Sequence, residues 1–588
     1  MQAGKAEKAL AVLDQRPVLL AIGGAVLPLL AVYLLSGPQT LPEADAGEFA
    51  AIAFQGGIAH PPGYPLYGLL LQAFALLSPP LGPVRALSLL SMLLGCTAAA
   101  LLCMALMRRG ATAFAAWAAT VVVFLSCNVW RASTAIEPFA LNLLLGAAVI
   151  ACSVEMVLPP PQGERLVWPL GVGFLFGLGF CNHHSLAMMA PLPLAVMLYR
   201  PRRLGRCLAA AGGGFLLGLW PLALFWLWRD SEGWVWGQWS PFWPRLLQHL
   251  FRAEYGTLNM APSAQGSWIY GPLRFLSNLP AVLSVAFLLV AVAGLLWAAR
   301  QQLREDSNAV RDGFGTGAVL SFLTTGLLFP ALFRLEGTEL DDLIADRFFA
   351  LPVLLLAFPL AVALGSKRVS RSARWRLAVT VLLFFHLSHQ WDRAERQSHR
   401  FFEQHLQNLL QIAEPNAVIM TLGDDGFAGG LYARYVWGHR EVSFVLASLE
   451  SDWYRRRVGV TLEFDPGGAG GVRRPLYLLD VPETASSQVL RLAPKGPLLR
   501  VLLAGEQMPS AQQLYQENRQ LFAGLRLPSG GGVEQLDAWE ADILRYYART
   551  WDIIGRRLEQ AGDRQLARLA FAFRGALSPS ATAGNMKP

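Results

Sequence analysis

Charge is what this sequence has little of. Of its 588 residues only 15% are Asp, Glu, Lys or Arg, while 54% are hydrophobic and the mean hydropathy is +0.38. A water-soluble domain carries about a quarter charged residues, so that class is excluded for most of the chain. Cysteine is also scarce. The six residues, Cys96, Cys103, Cys127, Cys152, Cys181 and Cys207, lie in or beside apolar segments, and none follows position 207. No CxxC pair or zinc spacing occurs, so they read as small buried hydrophobes. Nothing has the pattern of a nucleic-acid module. Much of the net charge of +8 sits in Lys/Arg clusters between apolar runs, as in the cytoplasmic loops of membrane proteins.

What the sequence does have is long apolar runs, near residues 17–36, 83–106, 111–130, 138–158, 168–181, 185–199, 207–228, 279–299, 315–333, 348–366 and 377–390. About 20 apolar residues suffice for one crossing. The expected fold class is therefore an all-α polytopic membrane bundle of about 11 helices, followed by a smaller soluble α/β part. The first run reads as an uncleaved signal anchor. Placing each basic cluster on the cytoplasmic side sets the N-terminus inside and the C-terminal region outside. This alternation requires residues 66–107 to cross once, so Leu66–Ser78 reads as an interfacial or re-entrant piece. The short runs 168–181 and 185–199 read as broken or tilted helices lining a cavity. Three regions are expected: a transmembrane domain over 1–390 with a first outer loop at 37–62, an α/β domain over 391–540, and a tetratricopeptide-like helical hairpin with a tail over 541–588.

That topology gathers the unusual polar residues on the outer face. Asp45 and Glu48 sit three apart at the start of an expected helix, in a loop without Lys or Arg. A desolvated carboxylate with no cation nearby suits a base that accepts a hydroxyl proton. The competing reading is a capping box, with Asp45 as N-cap and Glu48 as its partner. His60-Pro-Pro-Gly-Tyr64-Pro is a rigid turn that would hold His60 and Tyr64 near a substrate; the competing reading is a turn that simply directs the chain back into the membrane. Asn182-His183-His184 interrupts an apolar stretch; the two adjacent histidines are poorly spaced for one metal and better suited to hydrogen bonding a sugar or phosphate, with helix-end histidines bonded to backbone as the competing reading. Glu137, beside Pro138, joins as an ionisable group at a span. Arg347 is placed to clamp a phosphate. Asp341-Asp342 could hold Mg²⁺ or Mn²⁺, although a solvated acidic loop is the plainer reading. No metal ligand is assigned. Seven tryptophans between 220 and 243 read mainly as an interfacial belt.

Beyond residue 391 the composition is that of a soluble domain. Trp391–Ile412 reads as a charged amphipathic helix, and Ala417–Leu422, Val442–Leu446, Pro475–Leu479 and Leu498–Leu503 read as strands. Gly423-Asp424-Asp425 follows the first strand. Gly467–Gly471 and Gly530–Gly532 read as loops.

The combination Asp45-Ala-Gly-Glu48 with Gly57-Ile-Ala-His60-Pro-Pro-Gly-Tyr-Pro-Leu-Tyr67 resembles a membrane family long labelled a domain of unknown function, now linked to protein O-mannosyltransferases of the GT-C fold. Glu137-Pro-Phe-Ala-Leu-Asn142, Asn182-His-His-Ser185, Glu254-Tyr-Gly256 and Pro415…Asp424 with Trp453-Tyr454 fit the same family in the same order. The resemblance implies a glycosyltransferase. It would pass mannose or a related hexose from a polyprenyl-phosphate donor to a protein Ser/Thr or glycan hydroxyl, on the outer face of a bacterial inner or plasma membrane. It carries the catalytic role onto Asp45, with Glu48 second, and makes a divalent cation optional. Its partners are the lipid-linked sugar, the acceptor and the bilayer. Two other classes compete. A lipid or sugar flippase predicts inverted repeats and mid-membrane charges, which the sequence does not display. A non-catalytic assembly protein does not need the acidic loop.

Overall fold

The computed structural model describes residues 2–158, 166–199, 201–257, 266–304, 312–335, 337–366, 369, 372–446, 453–454, 474–480, 491–502, 505–528 and 536–578. The glycine loops 467–471 and 530–532, the basic residues 367, 368 and 371, and the side chains of Asp424 and Asp425 lie outside the described residues. Contacts divide the chain into two compact units. One comprises residues 1–38, 60–229 and 241–397; the other comprises 39–59, 230–240 and 398–588.

The first unit is helical. Among the described residues seven helices are long and apolar enough to cross a membrane: Arg16–Ser36, Pro83–Arg108, Phe139–Val157, Pro201–Trp228, Tyr270–Arg300, Phe314–Ala331 and Asp341–Leu364. Ala113–Phe124 and Cys127–Thr134, bent by 72°, make an eighth if taken as one span. Pro65–Ala75, Val167–Phe180 and His184–Leu198 are shorter apolar helices, and the run at 377–390 lies within helix Ala373–Ala394. Leu19, Leu20, Leu27, Leu289, Leu296 and Phe385 point outward from these helices. Outward-facing apolar side chains are stable where the surrounding medium is hydrocarbon. The protein is a multi-pass membrane protein.

Two devices hold the bundle. Helices Val167–Phe180 and Leu204–Gly218 meet through glycine: a Cβ at Gly173, Gly177, Gly214 or Gly218 would run into the backbone of the opposite helix. Small residues spaced by four allow this close approach. The second device is polar. Helix Tyr270–Arg304 breaks at Ser284, whose φ is 60°. His386 and Gln390, on the helix Ala373–Ala394, answer the break. His386 Nε2 donates to the Val122 carbonyl at 3.1 Å, which leaves Nδ1 to accept from Ser284 Oγ at 2.8 Å. Gln390 Nε2 donates to the Ala281 carbonyl at 2.7 Å, and its Oε1 accepts from Cys127 N, at the bend of the 113–134 pair, at 3.0 Å. Broken helices are tolerated at depth when side chains satisfy the freed backbone groups.

The second unit is α/β. Strand β1 (Gly57–Ile58) pairs in parallel with β2 (Trp234–Val235). A five-stranded sheet contains β3 (Val418–Thr421), β4 (Ser443–Leu446), β5 (Leu476–Leu478), β6 (Leu492–Lys495) and β7 (Leu498–Val501), in the order β4-β3-β5-β7-β6. The first three are parallel and β7 is antiparallel to both neighbours. The expected strands are all present. β6 is an addition: its Pro494 and Lys495 mask the strand pattern. The helical hairpin Ala538–Gln560 and Arg564–Leu577 shares a core with the sheet, where Trp551, Ile554, Leu558 and Ala567 pack with Ala493, Leu502 and Tyr515. The single helix expected over Trp391–Ile412 is corrected to two pieces. Ala373–Ala394 ends where Glu395 turns to ψ 135°, and Phe401–Ile412 starts anew. His405 on that second helix is buried against Tyr547 Oη at 2.8 Å, and burial pulls its imidazole down to about 3.

Candidate functional site

In the first unit the rigid turn, the Asn-His-His interruption and two helix ends converge. Gly63 has φ +91°, and a Cβ there would strike Phe225 and His249, so the His60–Tyr64 turn needs glycine at this point. Tyr64 itself is held at φ 48°, a left-handed conformation that a bulky residue adopts only under constraint. Its hydroxyl lies 3.2 Å from His60 Nε2. Its ring stacks on His183, with centroids 6.2 Å apart and planes at 27°. Phe139 and Phe348 flank the same imidazole at 5.2 and 5.5 Å.

The tautomer of His183 follows from its partners. Ser185 N donates to His183 Nδ1 at 3.2 Å, and Ser185 Oγ lies 2.7 Å from the same nitrogen. Asn142 Nδ2 donates to that hydroxyl at 2.8 Å, so the hydroxyl's own proton turns to Nδ1. Nδ1 is then the acceptor, and Nε2–H is the ring's donor. Next to it, His184 stacks on Phe180 at 4.8 Å, and its Nε2 has no hydrogen-bond partner among the described residues. Asn182 is fully buried and donates to the Pro138 carbonyl at 3.1 Å. Its Oδ1, like Asn142 Oδ1, lacks a hydrogen-bond partner among the described residues. Glu137 Oε1 accepts from Arg347 NH1 at 2.9 Å, in a pair whose side chains are 7% and 24% exposed. A buried carboxylate fixes the guanidinium's plane.

Arg252 was not singled out by sequence reasoning, yet its charge acts on both His183 and His184, as Arg347 and His60 act on His183. It holds φ 51° at the end of the helix Phe242–Leu250, and its guanidinium lies over the Tyr255 ring at 5.2 Å. The neighbouring Glu254-Tyr-Gly256 was the only available signal. Asn142 and Ser185 stood inside quoted motifs, but no pattern revealed that they set a histidine tautomer.

Asp45 and Glu48 belong to the second unit. They begin the helix Ala46–Gln55, which packs on the helix Asp424–Tyr435; a Cβ at Gly47 would strike the Ala428 carbonyl. The capping-box alternative is not what these side chains do. Asp45 occupies the N-cap position but makes no side-chain cap bond. Glu48 is 2% exposed and accepts from Trp234 Nε1 at 2.7 Å. Trp234 is walled in by Trp236, Phe427, Trp453 and Tyr454. Trp234, Trp236 and Trp239 are therefore buried core residues, whereas Trp220, Trp226 and Trp243 face outward as the belt reading expects. Glu48 thus ties the helix to an aromatic box. Asp45, half-buried and preceded by Ala44 at φ 63°, is the carboxylate presented at the helix start.

The aspartates proposed for a cation have other work. Asp341 closes a capping box with Thr338. Asp342 Oδ1 accepts from Tyr270 Oη at 2.7 Å and pairs with Arg274 at 3.2 Å. This donor set fits a cap and an ion pair better than Mg²⁺ or Mn²⁺.

Comparison with known proteins follows the same lines. Residues 45–204 match the family model described as the protein O-mannosyl-transferase TMEM260 N-terminal domain. The protein O-mannosyl-transferase TMEM260 of Mus musculus is 27% identical over 453 residues, covering 72% of this chain and 62% of that protein. The chain thus spans somewhat under two thirds of that relative. Among solved structures, ArnT from Cupriavidus metallidurans bound to undecaprenyl phosphate superposes with a TM-score of 0.52 at 16% identity, over 82% of this chain and 98% of that one. Its apo form gives 0.53 at 15%, over 85% and 100%. At such identities the likeness is one of fold, and that fold is GT-C-like. The resemblance read from the Asp45–Tyr67 motif is borne out.

Proposed function

We propose that this protein is an integral-membrane glycosyltransferase that moves mannose or a related hexose from a polyprenyl-phosphate donor to a protein Ser/Thr or glycan hydroxyl. The observation that carries the reading is the cluster of hydrogen-bond donors and cations in the first unit: His60 held by Tyr64, His183 with its Nε2–H as donor, and Arg347 braced by Glu137. Such groups suit an anion that gains charge as a bond breaks. The name of the mouse relative and the undecaprenyl phosphate of ArnT point the same way.

In this reaction Asp45 takes the proton of the acceptor hydroxyl. The acceptor oxygen bonds to the sugar C1 as the bond from C1 to the phosphate oxygen breaks, with inversion. That electron pair leaves on the prenyl phosphate, where Arg347, Arg252 and His60 meet it. Glu137 and Tyr64 hold their partners in place, and His183, His184 and Asn182 orient the phosphosugar. Glu48 acts through Trp234 to hold the helix that carries Asp45. The orientation that fits has the N-terminus cytoplasmic and the C-terminal region outside, in a bacterial inner or plasma membrane. The direct test supplies membranes containing the protein with labelled polyprenyl-phosphate mannose and a Ser/Thr-rich peptide. Transfer by the wild type and its loss in Asp45→Asn support the reading; undiminished transfer by Asp45→Asn removes that residue from the mechanism.

A further inference from the structure

Away from these residues, the second unit has a cleft of about 530 Å³ between the helix Phe401–Ile412 and the turn that leads from the helix Asp424–Tyr435 into β4. A volume of a few hundred cubic ångströms is that of a small-molecule site. Its lining is mixed: Leu410, Ala413, Pro415 and Val442 supply the apolar floor, and Gln407, Gln411, Trp437, His439 and Glu441 supply an aromatic face and polar groups.

Trp437 is held rather than loose. Its backbone N–H and that of His439 cap the helix by donating to the Tyr432 and Ala433 carbonyls at 3.2 and 2.9 Å. Gly438, at φ +78°, makes the turn between them. The Tyr432 ring lies 5.2 Å from the indole at 73°, and the His439 ring 6.2 Å from it at 82°. An immobilised indole lining the cleft offers aromatic surface at low entropic cost. Polar side chains stand around it. Gln407 Oε1 is taken by Arg526 at 2.7 Å, which orients its NH₂ as a donor. Gln411, His439 and Glu441 complete the polar side of the lining, with His439 beside the indole.

We infer that this cleft is a carbohydrate subsite for one or two neutral hexose units. Trp437 stacks on the C–H face of a sugar ring, while the amides of Gln407 and Gln411 and the Glu441 carboxylate take its hydroxyls. A sugar has both an apolar face and a rim of paired donor-acceptor groups, and this lining answers both. A phosphate or acidic ligand would meet Glu441 without a fixed cation in the lining. An apolar peptide would leave four polar side chains unanswered. The inference concerns binding alone and does not need transfer to occur.

The experiment titrates the full-length protein in detergent with α-mannobiose and, as controls, sorbitol and an unglycosylated Ser/Thr-rich peptide, reading saturation-transfer NMR and calorimetry. Millimolar binding of the disaccharide is expected, retained in Asp45→Asn and in Trp437→Phe, and weakened about tenfold or more in Trp437→Ala and Glu441→Gln/Gln411→Ala. Unchanged thermal unfolding of these variants separates lost contact from lost fold. Absence of sugar binding in the wild type, binding indifferent to Trp437→Ala, or binding of the bare peptide at the same place overturns the inference. Because Asp45→Asn tests transfer and Trp437→Ala tests this cleft, the two readings can fail separately.

Discussion

The two halves of one continuous motif behave as parts of different bodies. Residues 45–59 pack with the α/β unit through Gly47 against Ala428 and Glu48 against Trp234; residues 60–67 pack with the helical bundle through Gly63 and Tyr64. The first half offers carboxylates and no cation. The second gathers imidazoles, a phenol and guanidinium groups. A motif that looks like one site in sequence is thus divided between two compact units, its carboxylates in one and its imidazole and phenol in the other. Within the second unit, the helix Asp424–Tyr435 supplies the surface on which the helix Ala46–Gln55 rests.

The strongest way to break this comparison is to remove that surface. Deleting Ser398–Pro588 is expected to abolish transfer while the bundle still inserts in membranes. Gly47→Leu, which pushes a side chain into the Ala428 carbonyl, is expected to do the same without a deletion. Transfer by either at wild-type rate would show that the acidic half stands alone. Next in size, Asp45→Asn should lower kcat by about 10²–10⁴-fold, the usual worth of a general base, with donor KM little changed. In the cationic half, Arg347→Ala should cost about 10²–10³-fold through loss of leaving-group stabilisation. Glu137→Gln should act in the same direction but less, because the guanidinium keeps its charge; equal rates for Arg347→Ala and wild type in single-turnover assays would remove the phosphate role.

A smaller effect sharpens the other side. His405 is neutral when folded, near 3, against about 6.5 when unfolded. The unfolded chain binds the extra proton between these values, so stability falls as pH drops from about 6.5 towards 3, by at most about 1.4 kcal/mol per pH unit from this group. Thermal unfolding of the whole chain should show this slope, and His405→Asn should flatten it; identical slopes would locate the acid sensitivity elsewhere. The smallest expected effect is that of EDTA. With Asp341 capping a helix and Asp342 paired to Arg274, chelation should change transfer by less than about twofold. A larger loss restored by Mg²⁺ or Mn²⁺ would put a cation into the reaction.

Much of the architecture was legible because it is local. Apolar runs specify helices by length and composition, and every run falls on one or more helices; β3, β4, β5 and β7 announced themselves by short apolar stretches bounded by turns. What was not legible is what depends on pairs distant in the chain. Trp234 looked like an interfacial residue until its indole was found on Glu48, 186 positions away. Glu137 and Arg347, 210 apart, were each named but not as a pair. Arg252 carried no signal beyond the neighbouring Glu254-Tyr-Gly256. The helix expected at Trp391 ran through Glu395 because charge pattern alone cannot show where a membrane helix stops and the next element begins.

The most direct measurement is an experimental structure of the full-length protein in lipid with a polyprenyl phosphate bound. The account predicts the phosphate within hydrogen-bonding distance of Arg347 and His60, and the Asp45 carboxylate facing the place where the sugar C1 would lie. A phosphate held elsewhere, or an Asp45 carboxylate turned to lipid or to the cytosolic side, would contradict it.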